Sequence, residues 1–144
     1  MGRLQQAQAR ELQRIADRDG ILRPEAVVDA AKNKKNPLHT RFEWDDTEAG
    51  HRYRIWQARQ IINVQVVQLP HTETVSRVYV SLPRDRDEGG YRAVVDVLND
   101  DELREEMLSA ALADANRWRS KYRDLKELSR VFDEIDLVLL FAKV

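Results

Sequence analysis

Five side chains of metal-ligand type fall close together at Glu43, Asp45, Asp46, Glu48 and His51. Glu48 and His51 have the three-residue spacing with which a helix projects a carboxylate and an imidazole into a di-iron bundle, but such a centre takes a second Glu-x-x-His pair. No other histidine here has a glutamate three residues before it. Two-metal hydrolysis would need carboxylates converging from separate segments, and Asp45 with Glu48 already has the spacing of a capping box at a helix start. No metal site is therefore expected. Nucleophilic catalysis has less to work with. There is no cysteine, there are three histidines, and Ser81, Ser109 and Ser129 sit in no nucleophile elbow. Gly89-Gly90 lacks the glycine spacing and the Lys-Ser/Thr ending of a phosphate loop and reads as a turn. The expectation is a protein without catalysis and without a cofactor.

Basic residues carry the next candidate chemistry. Lys32, Lys34, Lys35, Arg41, Arg52, Arg54 and Arg59 cluster in one stretch, and residues 1–63 hold twelve Lys/Arg against nine Asp/Glu. Residues 100–144 hold eight against eleven, so a polyanion would meet the amino-terminal half. Lys and Arg at such positions supply phosphate and base-edge contacts to double-stranded DNA. A recognition helix, however, meets DNA with its first residues, and here these would be Asp45, Asp46 and Glu48, which repel phosphate.

These side chains need elements to hold them. A chain of 144 residues with 42% apolar and 34% charged content is large enough for one cored domain and rich in solvated helix surface. Leu4, Ala7, Leu12, Ile15 and Ala16 are at helical spacing, closed by Asp19-Gly20. Ile21-Leu22 is a short apolar pair before Pro24, which opens a second helix to Lys32 burying Val27, Val28 and Ala31. Asn33 to Pro37 is an exposed basic loop. A third helix is expected from Asp45 to about Ile62, burying Ala49, Tyr53, Trp56 and Ile61. Val64 to Leu69, Val75 to Leu82 and Tyr91 to Leu98 read as strands of one small antiparallel sheet, with Pro70 to Thr74 as the turn. Helix, short strand, helix, helix, strand, strand looks like a winged helix-turn-helix with residues 45–62 as the reading helix.

Asn99 and Glu102 have capping-box spacing before a long amphipathic helix. Ala111, Ala115, Trp118, Tyr122, Leu125, Ser129 and Phe132 recur at steps of four and three along one seam. Unbroken from Asp100 to Ile135, it would run about 54 Å, against about 37 Å for the diameter of a globule of this length. It would then overshoot its domain, break near Asp114 to Asn116, or pack against a second copy, with Trp118, Tyr122, Leu125 and Phe132 as self-association residues. Part of it is expected to cover the sheet. The expected division is residues 1–98, helices and sheet, and 99–144, helix and apolar tail. The tail, Leu137 to Ala142, fits helix or strand and is too short to span a bilayer. The N-terminus lacks a signal-peptide core, and the absence of cysteine suits a reducing cytoplasm.

Phe42-Glu43-Trp44-Asp45-Asp46, Tyr79-Val80-Ser81-Leu82, Gly89-Gly90-Tyr91-Arg92 and Asp96-Val97-Leu98 resemble segments of small uncharacterised proteins from tailed phages and prophages. The resemblance spans Ile21 to Phe132 and implies a phage context with no assigned activity. The expectation is an α+β, phage-derived DNA-binding or regulatory protein that acts as a homodimer in the host cytoplasm. The alternative is an assembly, virion or host-factor-binding protein that uses the C-terminal helix and no nucleic acid.

Overall fold

In the computed structural model, which describes residues 2–44, 47–68 and 73–142, helix α1 runs Arg3–Asp19 and buries Gln8, Leu12 and Ile15. Gly20 closes it at φ 72°, donating its N–H to the Ala16 carbonyl at 2.9 Å, a left-handed cap that glycine adopts at no steric cost. Helix α2, Pro24–Ala31, buries Val27, Val28 and Ala31. Helix α3, Glu48–Asn63, packs on it through Ala58, Ile61 and Ile62; Ala58 is fully buried, and its small side chain allows close approach.

The connection between α2 and α3 is tied down rather than loose. Gln8 Nε2 donates to the Pro37 carbonyl at 3.0 Å and Asn36 Nδ2 to Glu11 Oε1 at 2.8 Å, while Leu38 and Phe42 are buried in the core. Burial of each is worth about 1.5–3 kcal/mol. Arg14, hydrogen-bonded to Glu11, holds the Glu11 carboxyl below its ordinary pKa against the opposing effect of burial, and Asn36 adds to the lowering. Residues 32–35 of this connection are exposed, and so are Thr40, Arg41, Glu43, Trp44 and Thr47.

The single expected sheet is two. Strands β1, Val66–Gln68, and β2, Val75–Arg77, pair antiparallel with Val67 opposite Ser76. Strands β3, Tyr79–Val80, and β4, Arg92–Ala93, form the second pair, with Tyr79 opposite Ala93. Val78 stands between them: its N–H goes to the Gln65 carbonyl at 3.1 Å, and its carbonyl accepts from Val94 at 2.8 Å. Leu22 bridges Tyr91, extending the second pair by one residue. Of the expected turn, Pro70 to Thr74, residues 70–72 lie outside the described residues.

The expected strand Tyr91 to Leu98 stops at Ala93 and becomes helix α4, Val94–Asn99. Val94 and Val97 are buried while Val95 and Leu98 are exposed, the i, i+3 pattern of a helix rather than the alternation of a strand. Asn99 therefore ends α4 instead of capping the next helix. Likewise Asp45 is not the observed cap of α3: Thr47 is, its Oγ1 accepting from Gly50 N–H at 3.0 Å, and Asp45 and Asp46 lie outside the described residues.

Two compact units divide the chain, residues 1–100 and residues 101–144. The second is a helical hairpin. Helix α5 spans Asp101–Lys121 and α6 spans Ser129–Ala142, joined through a 3-10 turn at Lys126–Leu128. A long C-terminal helix is present as α5, with Asp101 and Glu102 in its first turn complementing the helix dipole. Its continuation to Ile135 is not, and the break comes after Lys121 rather than near residues 114–116. Along one straight helix Trp118 and Phe132 would stand about 21 Å apart; folded back, their rings meet at 5.6 Å and Tyr122 joins them at the same distance from Trp118. Arg119 ion-pairs with Asp136 across the hairpin. The tail is helical to Ala142. No described helix is long and apolar enough to cross a membrane.

Candidate interaction surfaces

The seven basic residues proposed from sequence separate into three kinds. Arg54 is 7% exposed. Its Nη1 donates to the Glu43 carbonyl at 3.1 Å and its guanidinium lies 5.4 Å from the centre of the Trp44 ring, so it is a structural clamp rather than a nucleic-acid contact. Lys32 pairs with Asp29 at 2.8 Å and Arg52 with Glu48 at 2.9 Å. Lys34, Lys35, Arg41 and Arg59 are exposed and make no ion pair with another described residue.

Two of the four segments quoted for the phage resemblance, Phe42 to Asp46 and Gly89 to Arg92, contain residues that pack and cap the fold. Phe42 enters the core. Trp44 stacks on His39 with ring centres 4.9 Å apart and donates Nε1–H to the His39 carbonyl at 3.1 Å; the His39 ring donates from Nδ1 to the Ala31 carbonyl at 2.7 Å. In the second motif Gly89 turns at φ 67°, and a Cβ on Gly90 would lie 2.3 Å from Ile21 Cδ1. Arg92 meets the buried Asp85 carboxylate with both Nε and Nη2, at 2.7 and 2.8 Å.

Helix α3 turns a face outward that the sequence reading had assigned to the core. Ala49, Tyr53 and Trp56 are exposed, the last two at 48% and 52%. Of the expected face only Ile61 is buried, in a stripe with Arg54, Ala58 and Ile62. Both stripes have helical spacing; the discriminating signal was that Arg52, Arg59 and Gln60 stand three or four residues from Trp56 and share its side of the helix. The Tyr53 and Trp56 rings lie 5.6 Å apart and 15° from parallel.

Of the expected metal-ligand cluster, Asp45 and Asp46 lie outside the described residues. Glu48 is engaged by Arg52, and among the described residues no group of three His, Asp or Glu side chains is arranged to hold a cation.

Among the described residues, two grooves have largely apolar linings. One, of about 340 Å³, lies within the first unit between Val67, Val78, Val94, Val95 and Leu98. The other, of about 400 Å³, lies between α5 and α6 at Leu108, Leu112, Leu139 and Ala142. The hairpin buries none of its described residues. Leu108, Leu125, Val131, Leu137, Val138 and Leu140 are exposed, and Phe141 is 73% exposed. Of the four residues expected to mediate self-association, Trp118 meets both Tyr122 and Phe132 within the hairpin, and Leu125 lies exposed in its turn. Against family models, curated proteins and solved structures alike, the chain finds no match.

Proposed function

We propose that the chain is a non-enzymatic assembly protein that works as a homo-oligomer joined through its C-terminal hairpin; a phage setting is supported only by the sequence resemblance. The observation that carries this reading is that α5 and α6 bury no described residue while exposing a row of large apolar side chains toward the end of α6. A helical unit of about 40 residues is too small to core itself without a staple, and this one has no cysteine. Exposed patches of this kind mark interaction sites, and pairing two hairpins into a four-helix bundle buries them at the spacing helices use.

Val138→Glu and Phe141→Glu test it. Both side chains are exposed in the single chain, so a monomer tolerates either change within about 0.5 kcal/mol. Light scattering of the wild type is expected to give a multiple of 16.8 kDa, and the double variant to give 16.8 kDa alone, with the melting transition of residues 1–100 unchanged. A monomeric wild type, or a variant of unaltered mass, would overturn the reading.

A second reading, duplex DNA binding by residues 1–100, is supported by Lys34, Lys35 and Arg41, which project from a connection held in place by Asn36, Leu38 and Phe42. If these three contact phosphates, glutamine at all three lowers the slope of log affinity against log salt by about 2.7. An unaltered slope, or no duplex binding at low salt, would count against it.

A further inference from the structure

The geometry points to the outward face of α3 as a binding site for single-stranded nucleic acid. Trp56 sits at the centre of that face with Tyr53 stacked beside it, both about half exposed. Neither belongs to the hydrophobic core, so the fold leaves two large rings against water with no internal use for them. Arg52 stands four residues before Trp56 and Arg59 three after it, with Gln60 one turn beyond the ring. The carboxylate on this side of the helix, Glu48, is ion-paired with Arg52.

Exposed rings on a helix face that also carries two arginines match a ligand made of flat bases and a negative backbone. Bases stack on exposed aromatics regardless of sequence, and arginines track the phosphates. Arg52 and Arg59 are two helical turns apart, about 10.5 Å, a span of about three stacked nucleotides at 3.4 Å each. Duplex DNA suits this face less well. Its bases are already stacked, its edges are read by Arg, Lys, Asn and Gln, and a Trp–Tyr pair occupies the position from which such side chains would reach. A protein partner suits it less well too, because the core of such an interface is apolar and depleted of charge, whereas this face offers no Leu, Ile, Val or Met beside the rings. The site lies within the first unit, residues 1–100.

The test is titration of the full chain with fluorescein-labelled oligothymidylate of about twelve nucleotides, the matching duplex, and poly-glutamate. Single-strand binding is expected at low salt. Trp56→Ala should weaken it roughly 5- to 100-fold, the range for loss of one stacked base, and Trp56→Phe should recover part of that. Arg52→Gln with Arg59→Gln should reduce the salt slope by about 1.4. Melting curves establish that each variant is folded, which their exposed positions favour. Duplex or poly-glutamate binding as tight as the single strand would overturn the inference, and so would absence of single-strand binding or an affinity indifferent to Trp56→Ala.

Discussion

Arg92→Ala is expected to lower the stability of the first unit by about 3 kcal/mol, toward the lower end of what breaking a buried ion pair costs. The Asp85 carboxylate is buried at 5% exposure and receives two parallel hydrogen bonds from Arg92. Deleting the guanidinium strands that charge away from water. The low end of the range applies because Arg92 itself is about one quarter exposed, so water partly screens the pair. For a unit of about 100 residues the loss corresponds to a melting temperature lower by on the order of 12 °C. Asp85→Asn combined with Arg92→Leu removes both charges and should cost clearly less than the sum of the two single changes, because the residues are directly coupled. Additive losses would show that Asp85 and Arg92 are not energetically coupled.

Alkaline unfolding through Tyr79 is the second large effect. Tyr79 is buried opposite Ala93, and burial, with Asp17 nearby adding to it, pushes its phenol up to about 12. The unfolded chain releases the same proton near pH 10. Between these values the folded protein holds the proton more tightly than the unfolded chain, so its contribution is fully present below about pH 10 and is lost as pH rises toward about 12. The difference amounts to about 2–3 kcal/mol. Urea midpoints measured from about pH 9 to about pH 12 should fall for the wild type by that much more than for Tyr79→Phe, which has no phenol to ionise. Parallel profiles for the two proteins would mean that Tyr79 ionises without penalty and is not enclosed as described.

Much of the fold was legible in local pattern. The ends of α1 and α2 follow from Gly20 and Pro24, whose backbone preferences act within a few residues and need no tertiary partner. Val27, Val28 and Ala31 were legible as core for the same reason, as an apolar stripe with no competing stripe on a short helix. Helix α3 was harder. It carries two stripes of equal spacing, and size favoured the aromatic one, but the surface that fits α2 is the one with Ala58 at its centre, where a small side chain lets the helices touch. The candidate site followed that choice: once Ala58, Ile61 and Ile62 face inward, Tyr53 and Trp56 must face outward with Arg52 and Arg59. Val94 to Leu98 misled through composition, since three β-branched residues in five read as strand, while the buried positions, Val94 and Val97, are a helical turn apart.

By itself the sequence determined that this is an α+β chain with amino-terminal helices, short antiparallel strands and a long helix near its C-terminus, because helix stops, proline starts and apolar periodicity are properties of a few adjacent residues. Only the tertiary structure decided which face of α3 is buried, that Val75 to Leu82 divides between two strand pairs at Val78, and that the last helix folds back after Lys121. Each of these depends on contacts between residues far apart in the chain: Ala58 with α2, Val78 with Gln65 and Val94, Phe132 with Trp118. Such pairings carry free energy that no local window contains, and they overrule propensity differences that amount to about 1 kcal/mol or less.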